Sequence, residues 1–153
     1  MVKNYLVIQM SKEWFISGNV PSLKNSKVIT KFGLQHSKTV KKYLSAKGIQ
    51  DYSPSNKTVQ DYVKRPNIFR KEAYGLREEL KKYEKPHKIG LYFIRDSERK
   101  FDYINAAQIV LDLMSAHWII DDDNMDEVIP VFLGYEVNKN KPGVIIKIVG
   151  GNT

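Results

Sequence analysis

The sequence lacks several features that would place it in well-known protein classes. It has no cysteine, so a disulfide framework, a thiolate zinc site and a catalytic thiol are all excluded. No stretch approaches the roughly 20 apolar residues that a membrane-spanning helix needs. The N-terminal apolar run is short, is interrupted by Gln9, and has no long apolar core of the kind found in signal peptides. We therefore expect a soluble cytoplasmic protein without a membrane partner.

Common catalytic motifs are missing as well. The nine glycines form neither a dinucleotide-binding motif nor a P-loop. The three histidines have no metal-site spacing, and no serine lies in the context of a nucleophile elbow. Trp14 and Trp118 are expected to be core aromatics rather than platforms for base stacking. A nucleotide-binding fold and a triad hydrolase are therefore not expected.

The charged residues are distributed unevenly along the 153-residue chain. Residues 1–100 contain 22 Lys and Arg against 9 Asp and Glu, whereas residues 101–153 contain 3 against 8. The run from Phe101 to Glu127 holds seven acidic residues and no Lys or Arg, although the chain has a formal net charge of +8. Concentrated carboxylates favour a divalent cation among them, and a basic remainder favours a polyanion such as nucleic acid. A solvated, Lys-rich surface is the alternative interpretation of the charge alone.

The apolar periodicity and the turn residues predict one α+β domain over residues 1–153, with a small mixed sheet of about four or five strands and two or three helices. Strands are predicted at Tyr5–Ile8, Trp14–Ile16, Val28–Thr30, Lys88–Ile94, Val128–Val137 and Val144–Val149. Helices are predicted at Ser37–Leu44, at Asn67–Tyr83, and from Asp102 or Tyr103 to about Ser115. Because Lys88–Ile94 is apolar on both faces, it is expected to be central. The segment Asn138–Gly143 is expected to join the last two strands as a hairpin.

The last predicted helix has two stripes at helical spacing. The apolar stripe is predicted to face the core and consists of Ile104, Ala107, Leu111 and Met114. The polar stripe consists of Asn105, Gln108 and Asp112. Asp102 is placed at the helix start, where a capping role alone would explain it. Asp112 lies mid-helix, where Asp is a poor helix former, so either solvent exposure or a function has to explain it.

Three consecutive aspartates, Asp121, Asp122 and Asp123, follow this helix and an apolar run. An EF-hand is excluded, because that loop needs oxygen ligands at alternate positions and a glycine turn. Neighbouring side chains in such a turn point in different directions, so one or two of them could face an aspartate on the helix. The sequence leaves open which of the three do so.

This arrangement resembles the RusA-like Holliday-junction resolvases and endodeoxyribonucleases of bacteria and their phages. The matching part covers about residues 101–128 and 18–30, and the second segment contains Pro21–Ser26, which is similar to the family's Pro-x-x-x-Asn loop. The resemblance implies a small α+β fold and a homodimer. It further implies Mg²⁺-dependent cleavage of four-way DNA junctions by paired symmetrical cuts, in recombination and repair.

The family's acidic positions are matched in order along the chain. Asp102 corresponds to the first Asp, Asn105 to the Asn and Asp112 to the helical Asp of the family. The Asp pair corresponds best to Asp122–Asp123, and Asp121–Asp122 is the alternative register.

Two positions depart from the family pattern. Ile104 replaces the second Asp of the family, and Gln108 replaces its Lys. These losses weaken the expected metal site and remove a cation that could stabilise charge on the reacting phosphate. Either Asp121 compensates or the protein is a weakened or inactive relative.

The resemblance therefore implies a set of site residues. Mg²⁺, or Mn²⁺, is expected to be bound by Asp102, Asp122 and Asp123, with Asp112 at or next to the ion and Asn105 orienting the ligands. Expected contacts to the DNA backbone are Lys24, Asn25, Lys27 and Arg99, although an ordinary solvated loop also explains the lysines. The alternative function is a DNA-binding or interaction module of the same fold that has lost catalysis. A small basic protein with an incidental acidic turn is the third interpretation.

Overall fold

The computed structural model describes residues 12–21, 27–30, 33–36, 39, 42–43, 47 and 68–150, with the backbone alone at 27–30 and 33–36. These residues form an α+β fold with three helices, a four-stranded mixed sheet and a separate two-stranded sheet. The predicted strand at Tyr5–Ile8 and most of the predicted helix at Ser37–Leu44 lie outside the described residues.

The four-stranded sheet has the strand order β1-β6-β4-β5. Its strands are β1 (Glu13–Ser17), β4 (His87–Arg95), β5 (Val128–Val137) and β6 (Gly143–Gly150). Strand β4 pairs in parallel with β5 and antiparallel with β6, while β1 pairs antiparallel with β6. The two-stranded sheet is a hairpin of β2 (Lys27–Thr30) and β3 (Gly33–His36). The sequence predicted β2 but not β3.

Strand β4 is confirmed as a central strand. Ile89, Leu91 and Phe93 are fully buried on one face of the sheet, and Gly90 is buried on the other face. The third helix, α3 (Tyr103–Ala116), connects β4 to β5, as the parallel pairing of these strands requires. This crossover brings the start of α3 close to the carboxyl end of β4.

The predicted hairpin between the last two strands is wrong. Strands β5 and β6 lie on opposite sides of β4, so the segment 138–142 passes the end of β4 instead of turning back along β5. The backbone N–H of Asn138 donates to Arg95 O at 2.8 Å, which holds the segment to that strand end. A sequence of turn residues shows where the chain turns but does not show which strand lies next to it.

The predicted helix at Asn67–Tyr83 is interrupted. The structure contains α1 (Ile68–Glu72) and α2 (Leu76–Leu80), separated at Gly75, whose φ is 84°. This left-handed conformation suits glycine, and it changes the chain direction so that both short helices bury apolar side chains. Phe69, Leu76 and Leu80 are the buried residues of the two helices.

Helix α3 packs against the sheet through a broad apolar face. The buried side chains of this face are Ala106, Ala107, Ile109, Val110, Leu111, Leu113 and Met114. Ile104 is not among them, because its side chain is 75% exposed. The prediction that Ile104 belongs to the core stripe is therefore wrong, and the residue lies on the exposed face with Gln108, one turn further along.

The helices in the described part of the chain are short. None of them is both long and apolar enough to span a lipid bilayer.

Candidate functional site

Asp102 caps the N-terminus of α3, as predicted. Its Oδ1 accepts hydrogen bonds from the backbone N–H groups of Ile104 at 2.9 Å and Asn105 at 3.3 Å. These N–H groups have no partner within the helix, so the carboxylate satisfies them and complements the helix dipole. Asp102 therefore fixes the position of the first turn of α3.

The exposed face of α3 contains the predicted polar stripe. Gln108 is exposed, and Asn105 and Asp112 are partly buried on the same side of the helix. The side-chain amide of Gln108 donates from Nε2 to Asp112 Oδ1 at 2.8 Å. The same nitrogen donates to Asp123 Oδ2 at 2.7 Å. Gln108 thus brings together two aspartates that are eleven positions apart in the sequence.

The remaining carboxylates of the acidic turn point elsewhere. Asp122 Oδ1 accepts the backbone N–H of Asp123 at 2.7 Å, and Asp122 Oδ2 accepts the amide of Asn124 at 3.2 Å. These bonds, the backbone N–H of Asp123 first, hold the pKa of Asp122 below its usual value. Asp122 therefore shapes the turn that presents Asp123 to Gln108.

Asp121 belongs to a second group of charges, which we call the ion-pair cluster and which consists of Arg77, Lys85, Asp121 and Glu127. Lys85 Nζ lies 2.9 Å from Asp121 Oδ2 and 2.6 Å from Glu127 Oε2, and Arg77 Nη2 lies 3.3 Å from Asp121 Oδ1. Lys85 first, and Arg77 second, hold the pKa of Asp121 below its usual value. The contact with Asp121 first, and the contact with Glu127 second, raise the pKa of Lys85.

A cavity of about 280 Å³ opens beside the ion-pair cluster and is lined by its four members and by His87. His87 is buried, and its Nδ1 has no hydrogen-bond partner within the described residues. Burial, followed by the positive charge of Lys85, lowers the pKa of His87. The imidazole is accordingly neutral near pH 7.

The predicted site residues thus fall into separate places. Asp112 and Asp123 meet at Gln108, Asp122 supports the turn, and Asp102 lies at the far end of α3. Ten residues of helix separate Asp102 from Asp112, which is roughly 15 Å along the axis, too far for one ion to bind both. In the described part of the chain, no group of three His, Asp or Glu side chains is close enough to hold a metal ion.

The pair formed by Asp112 and Asp123 nevertheless suits Mg²⁺ chemically. The two hydrogens of an amide nitrogen diverge by about 120°, so their two acceptor oxygens lie roughly 5 Å apart. Mg²⁺ binds oxygens at about 2.0–2.1 Å and needs only one or two protein carboxylates beside water and phosphate. A small inward rotation of both side chains, with the Gln108 amide displaced, would bring the oxygens within reach of one ion.

The predicted DNA contacts are only partly within the described residues. Lys24 and Asn25 lie outside them, and Lys27 is the first residue of β2, where its backbone pairs with His36. Arg99 is exposed in the turn between β4 and α3, three residues before Asp102. Its guanidinium is therefore available to solvent near the start of the candidate helix.

Sequence reasoning missed a group of aromatic side chains beside Asp102. Tyr103 and Phe132 have ring centroids 4.5 Å apart, and Phe101 and Tyr135 have centroids 5.1 Å apart. Arg95 lies over the Phe101 ring at 4.7 Å. The members come from β4, the start of α3 and β5, so only the tertiary fold brings them together.

The prediction for the two tryptophans is half confirmed. Trp14 is buried in the core with 8% exposure, but Trp118 is 65% exposed. Trp118 follows α3 directly and has a φ of 59°, in the left-handed region. A tryptophan that ends a helix inside an apolar run looks in sequence like a core residue, so the sequence carried no signal of this exposure.

Comparison of the chain with protein-family models and with curated protein sequences finds no match. The function therefore has to be argued from the geometry of these side chains and from the resemblance of the motifs.

Proposed function

We propose that this protein is a metal-dependent endodeoxyribonuclease that cuts branched DNA, with Mg²⁺ or Mn²⁺ at Asp112 and Asp123. The observation that carries the proposal is the pair of hydrogen bonds from Gln108 to these two carboxylates. They join the polar stripe of α3 to the turn that contains Asp121, Asp122 and Asp123. The RusA-like resemblance pairs the same two segments. The geometry supports the register in which Asp122–Asp123 is the family's Asp pair.

The residues of the chain would divide the work as follows. Asp112 and Asp123 would hold the cation, Asp122 would fix the turn, and Asp102 would position α3 rather than share the ion. A bound divalent ion lowers the pKa of water and offsets negative charge on a phosphodiester. Gln108 would withdraw its NH₂ group, and rotating its amide by half a turn would offer the carbonyl oxygen in its place.

The substrate and the assembly in the proposal follow from the resemblance. Four-way junctions are the proposed substrate, with Arg99 as a phosphate contact at the start of α3 and Lys24, Asn25 and Lys27 as further contacts. A homodimer would produce the paired symmetrical cuts. The support for it is β5, the outer strand of the sheet, which exposes large apolar side chains that a second copy could cover. These are Ile129, Phe132, Leu133, Tyr135 and Val137.

The test is nicking of a labelled four-way junction in Mg²⁺ and in Mn²⁺. Asp123→Asn and Asp112→Asn are each expected to lower the rate about 100-fold or more, because even indirect partners of a metal site contribute 10- to 100-fold. Asp126→Asn is the matched control, since Asp126 is an exposed carboxylate of the same turn. Equal rates in Asp123→Asn, Asp112→Asn and the native protein would refute the site.

The second candidate function is a junction-binding module without catalysis. Two observations favour it: the neutral amide of Gln108 already satisfies both aspartates, and the exposed Ile104 places a hydrocarbon where the family has an acid. It predicts a junction gel shift without nicking in any divalent metal. The same gel separates both functions from a protein that does not bind DNA at all.

A further inference from the structure

The C-terminal end of α3 contains an unusual residue for its backbone conformation. The N–H of Ile119 donates to Met114 O at 2.8 Å, and the N–H of Trp118 donates to Ser115 O at 3.1 Å. These two bonds form a Schellman motif, in which the residue after the helix cap adopts a left-handed conformation and is usually glycine. Here that residue is Trp118, with a φ of 59°.

The conformation is unfavourable for a side chain with a Cβ atom, and only glycine adopts it without strain. Gly75, the other described left-handed residue at a helix end, is the N-cap of α2 and is a glycine with a φ of 84°. The indole of Trp118 does not offset the strain by burial, since it is 65% exposed whereas Trp14 is 8% exposed. A strained position that contributes little to the core indicates a role outside the fold.

Trp118 lies beside the ion-pair cluster and shortly before Asp123 in the chain. Arg77 Nη1 donates to the carbonyl of Trp118, and Arg77 and Lys85 both pair with Asp121, three residues further on. The backbone of the exposed Trp118 thus contacts one cation, Arg77, and Trp118 lies five residues before Asp123 in the chain.

We propose that Trp118 stacks on an unpaired DNA base at the branch point, next to Asp112 and Asp123. The proposal rests on the proposed function, because it places the DNA strand at Asp112 and Asp123. Every base offers a flat π-face, so an exposed aromatic ring beside a cation can bind single-stranded segments without reading their sequence. Arg77 and Lys85 would contact the neighbouring phosphates. A single side chain is too small for a protein interface, which favours a base over a protein partner.

Tryptophan fluorescence tests this proposal directly. In a Trp14→Phe background, Trp118 is the only tryptophan, and Ca²⁺ in place of Mg²⁺ is used to permit binding without cleavage. A short single-stranded oligonucleotide, or a junction with unpaired bases at its centre, should quench the emission and protect it from acrylamide. A blunt duplex of the same length should do so much less.

Trp118→Gly separates stacking from folding. We expect its affinity for DNA with unpaired bases to fall about 10-fold, with little change for duplex DNA. We expect it to melt at the native temperature or a few degrees above, because glycine relieves the left-handed strain. The binding is measured with labelled DNA in protein that keeps Trp14, so the result does not depend on the Trp14→Phe substitution. Tyr74→Ala is the matched control, since Tyr74 is 86% exposed and its carbonyl is bonded to Trp14 on β1, at the opposite edge of the sheet from β5.

Several outcomes would overturn the proposal. They are equal quenching by single-stranded and duplex DNA, an unchanged DNA affinity in Trp118→Gly, and an equal loss of DNA affinity in Tyr74→Ala. A fourth is burial of the indole that depends on the protein concentration and not on DNA. The last result would assign Trp118 to a contact between two copies. Because the assay needs no cleavage, absent nicking with intact stacking would refute only the nuclease, and nicking with no stacking would refute only this role of Trp118.

Discussion

Asp121 and Asp123 are only two residues apart in sequence, but their carboxylates are paired in opposite ways. Asp121 is bound by the cations of Lys85 and Arg77 within the ion-pair cluster. Asp123, together with Asp112, is bound by the neutral amide of Gln108. Within the described residues, Asp123 forms no ion pair with Lys or Arg. Asp121 is paired with cations of the protein, whereas Asp123 is bound by a neutral donor that an external cation can replace.

This difference explains how a run of three aspartates can serve two purposes. A carboxylate held by two cations gains little from a further positive charge, so Asp121 belongs to the packing of the turn against α2. Asp123 is partly buried and shares the Gln108 amide with a second carboxylate, Asp112. Mg²⁺ prefers such oxygen ligands, so the proposed metal lies at Asp123 and not at Asp121.

Metal binding gives the largest expected difference between the two groups. Asp123→Asn should weaken the binding of Mn²⁺ to the protein without DNA about 100-fold, because it removes one of two carboxylate ligands. Asp121→Asn should change the affinity less than about twofold. The measurement is a Mn²⁺ titration followed by electron paramagnetic resonance. A greater loss in Asp121→Asn than in Asp123→Asn would reverse the assignment.

Position 104 offers a gain-of-function test of the same surface. Ile104 is 75% exposed on the face of α3 that carries Gln108, so Ile104→Asp should fold normally and add a carboxylate one turn before the bridging amide. We expect junction nicking in Mg²⁺ to rise about 10-fold, because a carboxylate at position 104 can accept the Gln108 amide at i+4 spacing and release Asp112 and Asp123 for the ion. Ile104→Asn, which has the same shape without the charge, is the control and should not increase nicking.

Much of the fold and part of the site could be predicted from the sequence. The apolar run of β4 predicted a central strand, and helical spacing predicted both the span of α3 and its polar stripe of Asn105, Gln108 and Asp112. The cap at Asp102 was predicted from its place before an apolar-periodic segment. These features depend on local geometry, which the sequence encodes directly.

The remaining features depend on what packs against what. Gly75 interrupts the predicted long helix because two short helices bury their apolar faces better than one straight helix would. Ile104 is exposed although Ala107, Leu111 and Met114 of the same stripe are buried, because it lies in the first turn of α3, before the part of the helix that packs on the sheet. The directions of Asp121 and Asp123 are set by Lys85 and Gln108, which are distant in the chain. The RusA-like family, the metal and the DNA substrate stay predictions.

The pH dependence of stability should distinguish the surroundings of the ion-pair cluster from the group formed by Asp112, Gln108 and Asp123. Burial lowers the pKa of His87, so the unfolded chain takes up a proton below about pH 6.5 while the folded protein does not. The contribution of His87 to stability is therefore fully present above about pH 6.5 and is lost as the pH falls toward the pKa of the folded state. Burial of His117 adds to the same loss. We expect the melting temperature to fall by a few degrees between pH 7.5 and 5.5.

The pKa of Asp121 is lowered by its cations, so its contribution is present above about pH 4 and is lost as the pH falls through the folded pKa. His87→Gln should flatten the loss between pH 7.5 and 5.5, and Asp121→Asn should flatten the loss below pH 4. The measurement is thermal melting over this pH range. A melting temperature of the native protein that is constant from pH 7.5 to 5.5 would contradict the assignment to His87 and His117.

The smallest expected effect concerns the cations of the ion-pair cluster. Lys85 and Asp121 have side chains that are 44% and 51% exposed, so water and salt screen their attraction. Lys85→Met should lower the melting temperature by no more than about 2 °C at low salt and by less in 1 M NaCl. It should leave Mn²⁺ binding unchanged, because Asp123 does not depend on Lys85. If Lys85→Met instead raised the affinity for Mn²⁺, then Asp121, once released from its cation, would be a metal ligand, and the separation between the two groups of carboxylates would be a property of the metal-free state alone.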